Sequence, residues 1–481
     1  MLRNPRLAAI VAATASAAFA GGGYPGASRH ERGAGSRGEL EARHDAGALS
    51  SIYRPLRYKP KLPPLTPRSS LNDFLKYAML NQPAVEAAYF DWMASVEQIT
   101  VSRSLPDPRF TFEADITSIV ESIMPGLMMD FPGAGKLSAR GQAASAKSRA
   151  RYYAFELAVL KAANSLKRAY YQLQFLEEKI RVTQKALDLA VDLEEAARRQ
   201  NEVGKVTSHD VLRAQIEEDR ARNDIANLED SRKPFLAAFK AALGLGNADP
   251  DPPLPEVFQM TPTDMETDQV LAKAFSRNPR IKAMEEDVHR AVALIRAAHR
   301  EKSPDFTAGL EADILAAPVM FRPSFGLTLP IWRDKIAAQI ANAQAMKGAA
   351  QARLSAEEIN LAAELAEKSY MVRQAGRNFT LAHDVVGHKT RESLEVARAN
   401  YLTGKTEFFN LIDTWRTVLN VEIEALEAQT ARELALADLS LLIAALPPAD
   451  SPVITLAPPI SKEPTATRKK VTRKVLSRKK I

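Results

Sequence analysis

Residues 159–187, VLKAANSLKRAYYQLQFLEEKIRVTQKAL, contain a seven-residue repeat of apolar side chains that decides the fold. The repeat consists of two series three positions apart: Val159, Leu166, Leu173, Ile180 and Leu187, and then Ala162, Ala169 and Leu176. This pattern is typical of helices packed along a coiled-coil seam, and its period of seven predicts left-handed supercoiling. An ordinary core stripe would predict a helix of about 10 to 20 residues rather than one of about 60, so the length favours a coiled coil.

The distribution of proline extends this prediction to most of the chain. A proline inside a helix costs about 3 kcal/mol or more, because it lacks the backbone N–H and its ring clashes with the preceding turn. Two long stretches contain no proline, from Gly133 to Lys233 and from Ile331 to Leu446. Each stretch is therefore predicted to be a long helical region.

The two halves of the chain also resemble each other. A shift of 196 residues superimposes Phe110 on Phe306, and a shift of 200 superimposes Gly204 on Gly404. Matches in one order with so little drift indicate a duplicated unit. Each unit is interpreted as a helix of about 25 residues, two short strands, a very long helix, a glycine turn and a second helix.

This duplication divides the chain into predicted segments. The first repeat covers 66–248, with strands at about 108–132 and long helices at about 136–243; the second covers 266–447, with strands at about 304–330 and long helices at about 334–446. The segment 249–265 is interpreted as a linker rich in proline and acidic residues. The segments 21–65 and 448–481 lack periodicity and are predicted to be flexible.

The predicted strands alternate between apolar and polar side chains. One face of the first strand carries Phe110, Phe112, Ala114 and Ile116, and the other carries Thr111, Glu113, Asp115 and Thr117. The third strand repeats the pattern and adds two acidic residues, so the candidate lumen-facing residues are Glu113, Asp115, Glu311 and Asp313. A strand of a transmembrane barrel alternates in this way, as does a half-buried sheet of a soluble domain. Four strands cannot close a barrel, whereas three copies would supply twelve.

The N-terminus has the pattern of a secretory signal peptide, predicted to cover residues 1–20. Arg3 and Arg6 precede a short apolar run, and Ala18-Phe19-Ala20 resembles a cleavage site. A buried N-terminal helix is the alternative. The chain has no cysteine, so we expect neither disulfides nor an acylated N-terminal cysteine. It also lacks the apolar stretch of about 20 residues that a spanning helix needs, so membrane insertion would use strands.

The formal net charge is +7, and all of it comes from the C-terminal tail. Residues 450–481 hold nine Lys and Arg against Asp450 and Glu463, which leaves the rest of the chain neutral. In an exported protein such a tail is either solvated or in contact with anionic envelope polymers or lipid headgroups, and no nucleic-acid partner is expected.

Sequence motifs for catalysis are missing. The seven histidines are scattered without the spacing of a metal site, and neither a phosphate-binding Gly-x-x-x-x-Gly-Lys-Ser/Thr loop nor a Gly-x-Ser-x-Gly elbow occurs. We therefore expect no enzymatic activity, no cofactor and no bound metal. Energy for transport would have to come from a partner.

Several stretches together resemble the TolC-type outer membrane efflux proteins, and among these they favour the heavy-metal efflux branch. The resemblance covers about Leu71 to Leu446. It rests on FGLTLPIW (325–332) leading into IAAQIANAQA (336–345), and on the twin turns VGKVTSHDVL (203–212) and YLTGKTEFFNLI (401–412). The junction FPGAGKL (131–137) is similar to that of the heavy-metal branch but has a longer glycine pair.

The resemblance implies a mainly α protein with a small β part, which forms a homotrimer. Twelve pooled strands would form an outer membrane β-barrel on top of an α-helical periplasmic barrel. Such a channel conducts small toxic solutes, metal cations or drugs, passively. Its partners would be a periplasmic adaptor protein, a proton-driven or ATP-driven inner-membrane pump, and outer membrane lipid.

The resemblance also assigns roles to the two helix turns, which would form the inner tip of the channel. Adaptor docking would involve the turn residues Gly204, Lys205, Val206, Gly404, Lys405 and Thr406. The segments 206–210 and 406–410 would face the adaptor or the gate, and the candidate gate residues are Asp210, Asn410 and Asp413. Family members often carry two acidic residues after the second turn, whereas here Asn410 leaves the charge to Asp413 alone.

Alternatives remain open at three points. Asp413 is equally interpretable as a solvated helix residue, and Asp210 as the cap of its helix. The alternative function is that of a periplasmic coiled-coil adaptor, which bridges membranes without making a pore. Such an adaptor would not be expected to duplicate pairs of amphipathic strands.

Overall fold

The computed structural model describes residues 62–116, 120–204, 206–255, 261, 274–403 and 405–443. The predicted signal peptide, the basic tail, Lys205, Gly404 and most of the 249–265 linker lie outside these residues. Long helices form most of the described chain, and one four-stranded sheet accounts for its β part. The structure confirms the prediction of a mainly α fold with a small β part.

The elements follow the same order twice along the chain. The first set comprises α1 (Leu71–Asn81), α2 (Pro83–Arg103), β1 (Arg109–Ile116), β2 (Val120–Phe131), α3 (Lys136–Glu202) and α4 (Ser208–Ala242). The second set comprises α5 (Pro279–Arg300), β3 (Asp305–Asp313), β4 (Met320–Thr328), α6 (Arg333–Phe379), a π-helical segment (Thr380–Val386), α7 (Gly387–Leu402) and α8 (Phe408–Leu442).

The sequence predicted one helix of about 25 residues before the strands of the first repeat, but the structure has two, α1 of 11 residues and α2 of 21, because the chain breaks at Gln82. Gln82 has φ −74° and ψ 116°, an extended conformation, and Pro83 then opens α2. The residue before a proline is pushed out of the helical region by the proline ring. The second repeat has the same arrangement, since Asn278 precedes Pro279 at the start of α5.

An asparagine side chain closes each repeat on itself. The Asn81 amide nitrogen donates hydrogen bonds of 3.0 Å to the carbonyl oxygens of Leu243 and Gly244, just after α4. The Asn278 amide donates a 2.8 Å bond to the Leu442 carbonyl at the end of α8. The first helices of each set are thus fixed to the end of its last helix.

The longest helix, α3, organises the bundle. Its 67 residues extend for about 100 Å at 1.5 Å per residue, and α3 packs against α1, α2, α4, α5 and α8. The heptad residues Val159, Leu166 and Leu173 are completely buried, whereas Ile180 and Leu187 are only partly buried. The seam predicted from the sequence therefore forms the core of the first repeat.

Two features depart from regular α-helix. Pro234 lies inside α4, at an exposed position, and the helix continues through it to Ala242. In the second repeat, where one uninterrupted long helix was predicted before the Gly404 turn, a π-helical turn separates α6 from α7. The Gly387 N–H donates to the Ala382 carbonyl five residues earlier, which is the hydrogen bond that defines this wider turn.

The four strands form an antiparallel sheet in the order β1-β2-β3-β4. The register puts apolar residues opposite one another, for example Phe110 with Leu127 and Phe306 with Leu327. Since directly opposed residues share a face, one face of the whole sheet is apolar. Its aromatic side chains are exposed in the single chain, and Phe325 reaches 83%.

Candidate functional site: the helical tip and the strand sheet

The first turn of the tip depends on a glycine. Gly204 follows α3 with φ +74°, a left-handed conformation that only glycine adopts without strain, and its N–H donates to the Asn201 carbonyl at 2.9 Å. A Cβ added to Gly204 would meet nothing within 4 Å. The turn therefore requires glycine for its backbone conformation and not for lack of space. The Asn201 amide then donates a 2.9 Å bond to the Val206 carbonyl and closes the turn.

The next residues form a capping box at the start of α4. The Asp210 N–H donates to Thr207 Oγ1 at 3.3 Å, while the Thr207 N–H and hydroxyl donate to Asp210 Oδ2 at 3.1 and 2.8 Å. This reciprocal pair satisfies two backbone groups that the helix end would leave free. Asp210 therefore has a structural partner that accounts for its carboxylate, in agreement with the cap interpretation.

The second turn has different chemistry. The Lys405 N–H donates to the Asn400 carbonyl at 2.9 Å, and α8 begins after Glu407, whose side chain makes no capping hydrogen bond. Lys405 is exposed and Thr406 is half-buried. The two turns are thus equivalent in position but not in their capping.

A hydrophobic cluster holds the tip together. Phe408, Leu411, Ile412 and Trp415 of α8 are each at most 5% exposed and pack against Tyr401 and against buried alanines of α3. The segment 406–410 was predicted to face the adaptor or the gate, but its Phe408 side chain belongs to this core. The aromatic residues after the turn fix the α7–α8 hairpin onto α3 and α4.

The remaining candidate gate residues lie on the outside of α8. Asn410 and Asp413 are exposed and three residues apart, so they lie on neighbouring positions of one helix face. Asp413 makes no hydrogen bond or ion pair through its side chain with the described part of the chain. Its charge contributes to the raised pKa of Arg416, after the hydrogen bond that Arg416 makes with Glu217.

An ion pair with a buried carboxylate connects the two repeats near the tip. Arg416 Nε donates to Glu217 Oε2 at 2.8 Å, a second bond joins Arg416 Nη2 to Glu217 Oε1, and Arg220 Nη1 lies 3.2 Å from the same Oε1. The Glu217 side chain is 8% exposed. Its pKa is lowered, chiefly because Arg416 hydrogen-bonds to the carboxylate. The pair fixes α8 to α4.

A second contact between the same helices lies closer to the tip. The Arg213 guanidinium of α4 lies 5.0 Å from the centre of the Phe409 ring of α8, a cation–π distance. Sequence reasoning missed both this contact and the Glu217–Arg416 pair. The available signal was that Glu217 and Arg416 lie at similar positions after their turns, about two and a half helical turns from the starts of α4 and α8.

An open cleft of about 740 Å³ separates the two turns. Val206, Thr207, Lys405 and Thr406 line it from both sides. The predicted docking residues that the structure describes at these turns therefore face a common space, except Gly204. The Tyr401 hydroxyl at this cleft is buried and has no hydrogen-bond partner among the described residues.

The four acidic candidates of the strands lie together on the polar face of the sheet. Glu113 is opposite Met124, while Glu311 is opposite Gly126 and Arg322. This face is opposite to the exposed aromatic side chains, so all four acidic residues share it. That the face lines a lumen stays a prediction.

The acidic residues differ in their surroundings. Glu113 is exposed, and Asp115 is exposed but accepts a 2.8 Å hydrogen bond from the Ser122 hydroxyl. Asp313 is only 5% exposed and accepts from the N–H groups of Leu315 and Ala316 at 3.2 and 3.3 Å. Asp313 therefore fixes the turn between β3 and β4.

Within the described ranges, no group of three or more His, Asp or Glu side chains is arranged to hold a metal ion. In the same part of the chain, no helix combines the length and the apolar character that crossing a membrane requires.

Known proteins resemble this chain in both sequence and structure. Residues 75–245 and 270–445 match the sequence model of a family described as outer membrane efflux protein. The chain is 23% identical over 271 residues to the cobalt-zinc-cadmium resistance protein CzcC of Cupriavidus metallidurans; this alignment covers 54% of the chain and 62% of that relative. The match thus extends over less than two thirds of CzcC.

Solved structures share the fold. The CmeC outer membrane channel of Campylobacter jejuni superimposes with a TM-score of 0.67 at 15% identity, over 82% of this chain and 91% of that chain. The MtrE outer membrane channel of Neisseria gonorrhoeae, in its open state, superimposes with a TM-score of 0.66 at 19% identity, over 79% and 89% of the two chains.

Proposed function

The chain belongs to the outer membrane efflux protein family, and we propose that it is one of three subunits of an outer membrane channel in a tripartite efflux system. Its family is the one that the sequence predicted. The observation that carries the proposal is the sheet, in which four strands separate an exposed aromatic face from an acidic face. The channel is passive and has no enzymatic role. A periplasmic adaptor and an inner-membrane pump, driven by protons or ATP, supply the solute and the energy.

The sheet provides the part that crosses the membrane. Exposed Phe110, Phe321 and Phe325 are 73%, 66% and 83% accessible in the single chain, which is unfavourable in water and favourable against lipid. Strands of a membrane barrel alternate between apolar residues outside and polar residues inside. Both outer strands of the sheet, β1 and β4, have a free edge within the described chain, so three copies can join edge to edge into twelve strands.

The helices provide the part that crosses the periplasm. The length of α3, about 100 Å, puts the two turns at the far end of the molecule from the sheet. We assign adaptor docking to the cleft between the turns, which Val206 and Thr406 line from opposite sides. The turn positions Lys205 and Gly404 belong to the same proposal.

Gating belongs at the same end. Asn410 and Asp413 are the first exposed polar side chains of α8 after the second turn, and the Glu217–Arg416 pair fixes α8 to α4. Opening requires α7 and α8 to shift against α4, as packed helices do between two arrangements. The ion pair and the Arg213–Phe409 contact would have to separate or rearrange in that shift.

The solutes are small toxic compounds, either metal cations or drugs. The similarity to CzcC, whose name describes resistance to cobalt, zinc and cadmium, favours metal cations. Selection among solutes would lie mainly with the pump, because a conducting channel must not hold its solute tightly.

The test is single-channel conductance of the purified trimer in a planar lipid bilayer. Replacement Asp413→Asn removes the charge at the proposed gate, so the preference for cations over anions should fall, measured as a smaller reversal potential in a salt gradient. Glu424→Gln is the matched control, because Glu424 is an exposed acidic residue of the same helix about three turns further from the tip. A wild-type trimer that does not conduct would refute the channel.

A further inference from the structure

A basic cleft at the junction between the strands and the helices is not used by the proposed gate or tip. It has a volume of about 410 Å³, within the range of about 300–1,000 Å³ typical of small-ligand sites. The start of α3 and the end of α5 line it. The complete lining consists of Gly135, Ser138, Ala139, Gln142, Arg296, His299, Arg300 and Ser303, with three basic residues and no carboxylate.

The two arginines have no acidic partner in the described chain. Arg296 donates only to the Gln142 amide oxygen, at 3.2 Å, and neither Arg300 nor His299 forms an ion pair with a described residue. Several other arginines of the described bundle pair with Asp or Glu, as Arg149 does with Glu286 at 2.8 Å. An arginine pair that faces a cleft without a counter-charge attracts an anion.

The nearest carboxylates do not neutralise the cleft, because they are already engaged. Lys136 is 4% exposed at its side chain and lies 3.1 Å from Glu301 and 2.9 Å from Asp305. Arg140 also contacts Glu301, at 3.4 Å, and the Gly133 N–H donates to Asp305 at 2.6 Å. Two cations and a backbone donor thus account for both acids, which leaves Arg296 and Arg300 as excess positive charge.

The backbone adds to this charge. Helix α3 begins at the cleft and has no acidic residue in its first turn and no side-chain cap. The N-terminal end of a helix carries a partial positive charge that favours phosphate groups. The guanidinium of Arg300 lies directly against this helix start, since a Cβ added to Gly135 would be 3.0 Å from Arg300 Nε. Gly135 therefore makes room for the arginine.

We infer that this cleft binds a phosphate group, and that its source is the headgroup of an anionic phospholipid such as phosphatidylglycerol. Guanidinium and hydroxyl groups donate hydrogen bonds to the oxygens of phosphate. Arg296 and Arg300 provide the guanidinium groups here, and Ser138 and Ser303 provide the hydroxyl groups. The lipid source rests on the proposed function. If the strands cross the outer membrane, the start of β3 at Asp305 and of α3 at Lys136 lie at its periplasmic surface.

The equivalent position of the first repeat has one basic residue, Arg103 at the position of His299, in place of three. A shift of 196 residues, which aligns α2 with α5, places Thr100 at the position of Arg296 and Ser104 at the position of Arg300. A trimer would therefore carry three such sites rather than six. They would help to hold the trimer at a fixed depth in the membrane.

The experiment uses the full-length trimer in maltoside micelles and counts bound lipids by native mass spectrometry. The probes are short-chain phosphatidylglycerol, short-chain phosphatidylcholine and inorganic phosphate. The test variant is Arg296→Gln with Arg300→Gln. The control is Arg290→Gln on the same helix, where the Arg290 side chain is 42% exposed and pairs with Asp287 at 3.9 Å. Trimer recovery on gels shows that each variant is folded.

We expect the wild-type trimer and the control to bind phosphatidylglycerol more tightly than phosphatidylcholine. The double variant should bind phosphatidylglycerol about thirtyfold more weakly, because it loses two basic residues and each contributes about 1 kcal/mol near a membrane surface. Binding of inorganic phosphate without phosphatidylglycerol would retain the phosphate site but overturn the lipid source. No change in the double variant would overturn the inference. Equal affinity for the two lipids would also overturn it when inorganic phosphate does not bind either.

The same preparations separate this inference from the channel proposal. The double variant should conduct like the wild type in a planar bilayer, because the cleft lies far from the tip. Normal conductance together with unselective lipid binding refutes only the phosphate site. Lipid selectivity without conductance in the wild type refutes the channel and leaves the phosphate site standing.

Discussion

At the scale of single residues, Asp210 and Asp413 show how local hydrogen bonds distinguish a structural acidic residue from a candidate functional one. Both are acidic and both follow a turn of the tip. Asp210 is committed to the Thr207 capping box, whereas Asp413 has no such partner in the described chain. The capping role was one of two interpretations that the sequence allowed, because Thr-x-x-Asp is a spacing that caps helices.

Removing the cap should loosen the tip without changing its ion selectivity. Thr207→Ala deletes the acceptor of the Asp210 N–H and should cost about 1 kcal/mol, visible as faster amide hydrogen exchange over residues 206–212. Ser208→Ala, one position further along, is the control, since Ser208 is exposed. Asp210→Asn should leave the reversal potential unchanged. A change as large as that of Asp413→Asn would show that Asp210 is part of the gate.

A second residue-scale prediction concerns pH. Burial raises the pKa of Glu156 in α3 to about 7, above its ordinary value of 4.5. Between these two pH values the folded chain retains a proton that the unfolded chain has lost. The free energy of unfolding must therefore fall as the pH rises from about 4.5 to about 7.

Replacement Glu156→Gln should remove that dependence. At pH 8 the variant should be more stable than the wild type, by at most about 3 kcal/mol per subunit, because it does not have to bury a charge. Chemical unfolding at pH 5 and pH 8 measures the difference. Glu202→Gln, at the exposed end of the same helix, should retain the wild-type pH dependence. If the free energy of unfolding of Glu156→Gln depended on pH as that of the wild type does, the raised pKa of Glu156 could not be its cause.

The residues that the sequence failed to place are those whose roles depend on packing between distant segments. Gly204 was recognisable because a left-handed cap needs glycine whatever surrounds it. Phe408 was placed at the surface of the tip by its position after a turn, but the α7–α8 hairpin buries it against α3. The Glu217–Arg416 pair joins two helices whose relative rotation the sequence does not state.

At the scale of elements, local rules predicted the long helices well and their irregularities poorly. The absence of proline located both helical regions, because proline is costly inside a helix. The break at Gln82 also follows from a local rule, since Pro83 restricts the preceding residue, but the predicted single helix ignored it. Continuation through Pro234 and the π-helical turn have no comparable local signal. Both irregularities depend on packing against the neighbouring helices of the bundle.

The π-helical turn gives a prediction that contrasts two glycines. A Cβ added to Gly387 would lie 2.8 Å from the Ala382 carbonyl oxygen, so Gly387→Ala must distort the turn and should cost about 1 to 3 kcal/mol. A Cβ added to Gly376, in α6, meets nothing within 4 Å in the chain. Gly376→Ala should therefore stabilise by up to about 1 kcal/mol through helix propensity. Thermal unfolding of the two variants should shift in opposite directions, and equal shifts would contradict this account.

At the scale of the whole molecule, the sheet determines where the protein resides. Alternation along β1 and β3 was visible in the sequence, whereas the order of the strands and their register were not. The register aligns the apolar residues of all four strands on one face. A sheet in a soluble sandwich has such a face too, but there a second layer covers it, whereas in a membrane protein it is left open to lipid. In the single chain that face is uncovered, as Phe112 at 64% exposure illustrates.

Two neighbouring substitutions test the orientation of the sheet. Phe112→Arg places a charge on the apolar face, which costs about 2 to 4 kcal/mol at the middle of a bilayer, so the yield of heat-modifiable trimer in the outer membrane should fall. Glu113→Arg places the same charge on the opposite face and should leave assembly intact. Equal loss in both variants would contradict the assignment of faces. Recovery of the wild-type protein from soluble periplasm would favour the adaptor alternative.

The asparagines that close the two repeats have a consequence for how the protein can be cut. Asn81 and Asn278 each join the start of a repeat to the end of the same repeat. Neither of these asparagine hydrogen bonds therefore links the segments before and after the connection that follows Pro255. Two separately translated polypeptides, divided in that connection, would each keep their own closure. They would still meet through the contact between α3 and α5. The subunit is therefore suited to split-gene complementation, in which an active channel reports that two halves have met.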